Sequence, residues 1–178
     1  MSKSDQPAGF SRRSLLFGSF LKRDKPWDPK PPEAPAQDLA PLLAKANQAF
    51  AAGDLEAALG HYREYVLADM DNMEVRRRLG LCFYRMGRLP QAKVEFERVL
   101  REHQKDPFCL LHLGLVLCRL DRPQKAAVVW KIYFDPTNVT VQREVNLQIA
   151  LLESETPPPA GDMAEAVEKA IAQGQTQA

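Results

Sequence analysis

Between residues 39 and 153 the apolar positions recur at helical rather than strand spacing. Leu79, Phe83 and Met86 fall at i, i+4 and i+7, one stripe of an amphipathic helix. Small and large residues then repeat at a fixed interval. Ala58, Ala92 and Ala126 stand 34 residues apart, as do Tyr62, Phe96 and Trp130. Leu79-Gly80 and Leu113-Gly114 share that interval, Ala46 holds the matching place in the first unit, and Gly53 and Gly87 are again separated by 34. Registers that agree over one period mark an array whose units bury their apolar faces against their neighbours. The pattern predicts helical hairpins over 39–72, 73–106 and 107–140. A capping helix follows at about 141–153, where Leu147 and Leu151 keep the register of Leu113 and Leu117. Gly53 and Gly87 suit the turn inside a hairpin, where a left-handed residue ends a helix. The third hairpin has Asp121 there, followed by Arg122-Pro123, with proline opening the next helix.

The residues within each unit resemble the tetratricopeptide repeat, or TPR. Its signature is a large residue, Leu-Gly, an aromatic, then Ala-x3-Phe. Unit two reads Arg76-x2-Leu79-Gly80-x2-Phe83 and then Ala92-x3-Phe96; unit three reads Leu110-x2-Leu113-Gly114-x2-Leu117 and then Ala126-x3-Trp130. Unit one keeps Leu42, Lys45-Ala46, Ala49 and Ala58-x3-Tyr62. The resemblance covers 39–140. It implies an all-α solenoid of three TPR-like hairpins with a capping helix and flexible ends. It also implies an adaptor or scaffold that binds a protein segment on a concave face lined by the first helix of each hairpin.

Carried over position by position, that face comprises Asn47 and Phe50 in unit one, with Leu43 beside them. Unit two contributes Arg77, Leu81, Tyr84 and Arg85, with Arg78 at the edge. Unit three contributes Phe108, His112, Leu115 and Arg119, together with Leu111. Apolar and aromatic residues interleaved with arginine suit a partner segment with apolar anchors and carboxylates, which Arg grips in a fork. One TPR subclass clamps a terminal carboxylate with Lys, Asn, Asn, Lys and Arg. Only Asn47 matches it, the other places holding Leu43, Arg78, Phe108 and His112, so that mode is not expected. A bland reading of Arg77 and Arg78 is a solvated face steadied by Glu74.

Composition narrows the function. The chain has 24 Lys and Arg against 23 Asp and Glu, a formal charge of +1, which argues against general nucleic-acid binding. The three cysteines, Cys82, Cys109 and Cys118, lack metal or disulfide spacing, and Cys109, His112 and Cys118 make a poor ligand set. No phosphate loop, nucleophile elbow or zinc-protease motif occurs, so no enzyme activity, metal or cofactor is expected.

The ends differ from the middle. Residues 1–38 are basic and proline-rich, with linker character over 22–38. Within them, 10–23 carry the apolar residues Phe10, Leu15, Leu16, Phe17, Phe20 and Leu21 around Arg12 and Arg13. Ser11 to Leu16 resembles the start of a bacterial twin-arginine export signal. The apolar run is short and ends at Lys22-Arg23, so the segment is expected to be a docking motif of a bacterial cytoplasmic protein. The resemblance extends to tags on accessory proteins of respiratory enzymes, which suggests a role in assembling a multi-subunit redox complex. The alternatives are an exported protein, a membrane-surface anchor, or a segment that folds into the chain's own groove. After Pro157-Pro158-Pro159 a short amphipathic helix is expected over Met163 to Gln173, stopped by Gly174.

Overall fold

The structure is a computed structural model and describes residues 38–176. The docking motif expected over residues 10–23 lies outside the described residues. The described residues form helices and no strand: α1 (Ala40–Ala51), α2 (Leu55–Ala68), α3 (Met73–Arg85), α4 (Leu89–Glu102), α5 (Pro107–Arg119), α6 (Pro123–Trp130), α7 (Val139–Leu152) and α8 (Ala160–Thr176). Each of α1–α2, α3–α4 and α5–α6 packs as a hairpin, and α2 on α3 and α4 on α5 join them into a TPR-like solenoid.

Local chemistry starts and stops these helices. Asp54, Asn72, Asp106 and Asn138 each accept a hydrogen bond from the backbone N–H three residues on, satisfying a donor that the first turn leaves open. Pro107 and Pro123 open α5 and α6, where no intrahelical N–H is needed. Gly53, Gly87 and Asp121 take φ of +80°, +71° and +56° at the three hairpin turns. Asp121 bears a steric strain there that the two glycines avoid.

The small residues are where the helices cross. Gly80 faces the Phe96 ring, and an added Cβ would lie 2.7 Å from it. On Gly114 a Cβ would overlap the Trp130 indole. Ala46, Ala58, Ala92 and Ala126 are fully buried between helices, and Tyr62, Phe96 and Trp130 fill the gaps they leave.

The C-terminal third departs from the expected register. Leu147 and Leu151 were expected to face inward, but they are exposed; α7 instead buries Val141, Val145 and Gln148 with Leu152 half-buried. The 34-residue interval ends with unit three, because α6 stops at Trp130 and an irregular segment through Asp135-Pro136 resets the chain before α7. Gly174 does not stop the last helix. It lies inside α8 and lets that helix approach the Asn138 side chain, 2.9 Å from where its Cβ would stand. Nor is α8 an appendage. Met163, Ala164, Val167 and Ala170 are buried, and α8 packs on α7 and back across α5.

Candidate functional site

The first helices of the hairpins, α1, α3 and α5, hold the residues expected to bind a partner. Their spacing along each helix puts Leu81, Tyr84 and Arg85 of α3 beside Phe108, Leu111, His112 and Leu115 of α5. Together with Tyr133, Asp135 and Asn138, and with Glu168, Ile171 and Ala172 of α8, they enclose an open pocket of about 400 Å³. Its floor is apolar, and its wall is a cluster of packed rings. Phe108 stacks on His112 at 4.1 Å between centroids, and Phe96 and Tyr84 meet His112 at 5.7 and 6.3 Å.

The polar groups expected on this face are mostly already committed, and Asn47, Phe50, Arg78 and Arg119 lie outside the pocket lining. Asn47 Oδ1 accepts from the Tyr62 hydroxyl at 2.7 Å and from Arg78 Nη1 at 3.2 Å, which ties the first hairpin to the second. Arg78 also holds Glu74 at 3.1 Å. Arg77 is not brought to the pocket: it pairs with Asp106 at 3.2 Å and with Glu74 at 2.8 Å, beside the turn that precedes α5. Arg119 pairs with Glu168 at 2.5 Å, and the Tyr84 hydroxyl donates to the same carboxylate. Burial and that carboxylate push the Tyr84 phenol well above its usual range, so it remains a donor. Arg85 differs. Its guanidinium lies 4.5 Å from the centroid of the Phe50 ring, and it has no carboxylate partner among the described residues. Phe50 is held in turn by an edge contact with Tyr62.

The repeat pattern did not reveal Glu168 at this pocket, because α8 lies outside the period. A signal did exist. Residues 109–118 of α5 are all buried. A helix apolar all round needs cover on every side, and the flanking hairpin helices leave one side open. α8 supplies that cover.

His112 is nine-tenths buried, with Nδ1–H donating to the Phe108 carbonyl at 2.8 Å. Burial lowers its pKa from 6.5 to about 4, so the ring is neutral and Nε2 remains an acceptor. The pKa is lower in the folded state than in the unfolded state. The unfolded chain therefore binds the extra proton first as the pH falls. Stability is complete above about pH 6.5 and declines down to about pH 4, by up to about 3 kcal/mol. Melting curves at the two ends of that window are expected to differ more in the native chain than in His112→Leu. Equal pH dependence would remove His112 as the cause.

No thiol chemistry is set up. Cys82, Cys109 and Cys118 are buried and unpaired, and burial raises their pKa values, to about 11 for Cys82 and about 12 for Cys118. Among the described residues no three His, Cys, Asp or Glu side chains are grouped to hold a metal ion. Also among them, no helix is long and apolar enough to cross a membrane.

Residues 49–107, from the end of α1 to the start of α5, match the family model described as tetratricopeptide repeat. No curated protein matches the chain. Repeats of this kind generally mediate contacts between proteins, and the fold is typically an interaction module rather than a catalyst.

Proposed function

We propose that the chain is a non-enzymatic adaptor that binds a partner segment in the groove formed by α3, α5 and α8. One observation carries this reading. Leu81, Tyr84, Arg85, Phe108, His112 and Leu115, chosen from repeat position alone, line one open apolar pocket beside a cation that lacks a carboxylate among the described residues. The partner places a large apolar side chain over Phe108 and Leu115 and a carboxylate against Arg85. Because Glu168 already occupies Arg119, the acidic preference of the site rests on Arg85. Location in a bacterial cytoplasm, and a second contact through residues 10–23, belong to the same reading.

A random-peptide display library selected on the full chain tests it. The enriched peptides should carry a bulky apolar residue next to Asp or Glu. Arg85→Glu should replace the acidic residue with Lys or Arg, and Leu81→Asp should weaken the selected peptides by about tenfold or more. Enrichment that ignores both substitutions would place binding elsewhere.

A further inference from the structure

A second groove lies between α2 and α4, over α3. It has a volume of about 540 Å³ and a floor of Val66, Leu79 and Phe83. Leu67 and Val94 form its walls, and they are 82% and 48% exposed. Two cations stand on its rim. Arg63 lies over the Phe83 ring at 5.2 Å and has no carboxylate partner among the described residues. Arg98 reaches Glu95 only at 4.0 Å, and that carboxylate is already held by Arg76 at 3.0 Å.

The repeat supplies its own control. Advancing Arg63, Val66, Leu67 and Leu79 by the 34-residue period gives Glu97, Leu100, Arg101 and Leu113, which with Val94 line the next groove, between α4 and α5. Leu100 and Leu113 take the places of Val66 and Leu79, but Leu67 has become Arg101 and Arg63 has become Glu97, which pairs with Lys93 at 2.6 Å. At that groove Glu97 is paired with Lys93 and an arginine stands where the α2–α4 groove has its exposed Leu67. The repeat therefore does not itself demand an arginine at position 63 or an exposed leucine at position 67.

We infer that the groove between α2 and α4 is a separate docking site for an acidic partner segment. This segment would seat an aliphatic or aromatic side chain between Leu67 and Val94 and set carboxylates against Arg63 and Arg98. Charge decides the occupant. The chain's own residues 10–23 carry Arg12, Arg13, Lys22 and Arg23, and would bring like charge to the rim. A bilayer is flat and would meet Leu67 without reaching the floor between the two helices.

The probe is a fluorescein-labelled helical peptide of Glu and Ala with two Leu four residues apart, set beside its Lys-for-Glu counterpart. Both are titrated into the full chain by anisotropy, with backbone amide shifts mapped by NMR. The acidic peptide is expected to shift amides around Arg63, Leu67 and Val94 and to bind at least about tenfold more tightly than the basic one. Arg63→Glu with Leu67→Arg, which copies the next repeat onto this groove, should abolish that preference. The helical far-UV spectrum and the native melt should be retained. Three results would overturn the inference: equal binding of both peptides or none at millimolar concentration, shifts confined to Leu81, Tyr84 and Arg85, or an unaffected double variant. So would Leu67-dependent pelleting with phosphatidylglycerol vesicles in the absence of peptide binding.

Discussion

Trp130→Ala is expected to be among the most damaging single substitutions in the solenoid. The indole is fully buried at the end of α6, its Nε1–H donates to the Leu111 carbonyl at 3.1 Å, and its face lies against Gly114. Removing it leaves a cavity between α5 and α6 and should cost about 3–5 kcal/mol. Total stabilities run to roughly 5–15 kcal/mol, so the melting temperature should fall by roughly 10–15 °C. Gly114→Ala tests the same contact from the other side. In the native background the new methyl collides with the indole, which should cost about 1–3 kcal/mol. In the Trp130→Ala background the collision is gone, and alanine, a better helix former by about 1 kcal/mol, should stabilise α5. The substitution therefore changes sign between backgrounds, which urea unfolding followed by far-UV circular dichroism resolves as a double-mutant cycle. A cost at Gly114 that is the same in both backgrounds would show that the close approach is not what the glycine provides.

That contact also shows why the hairpins were legible in the sequence. A glycine, an alanine and an aromatic residue at fixed offsets record a helix crossing, and Gly80 with Phe96 repeats what Gly114 does with Trp130. The turns were legible for a similar reason, since a left-handed residue favours glycine, as at Gly53 and Gly87. The groove residues could be named wherever the period ran. It did not run past Trp130. Leu147 and Leu151 were placed by counting, but α7 enters after an irregular segment and turns Val141 and Val145 inward. Glu168 escaped because its partners, Tyr84 and Arg119, are far away in sequence and no local spacing joins them. The all-round apolar character of α5 implied a cover without identifying it. Charges were the least legible feature. The spacing offered Glu74 to Arg77 and Arg78, but only tertiary packing brings Asp106 to Arg77 and Glu168 to Arg119 and leaves Arg85 without a carboxylate among the described residues.

The other large effect concerns a charge that the sequence placed at the position of a large residue. Arg76 has a side chain only 4% exposed, pairs with Glu95 of α4 at 3.0 Å, and donates through Nε to the Met70 carbonyl at 2.7 Å. Arginine does not lose its proton, so Glu95→Ala strands a buried cation and should cost about 3–5 kcal/mol. Arg76→Leu should cost less. Glu95 is 13% exposed and has Arg98 at i+3 as an alternative partner, at present 4.0 Å away. The next repeat shows the apolar solution, since the equivalent positions are Leu110 and Val129. Arg76→Leu with Glu95→Val should therefore recover most of the loss and equal or exceed the native stability, because replacing a buried pair with apolar groups avoids the desolvation of both ions. Added salt should leave the ranking unchanged, as a pair this buried is little screened. Denaturant midpoints of the three variants decide the matter. A double variant no more stable than Glu95→Ala would mean that the pair contributes net stability to the α3–α4 contact. Recovery would mean that the α3–α4 contact does not need the pair for its stability, as the apolar Leu110 and Val129 of the next repeat already suggest.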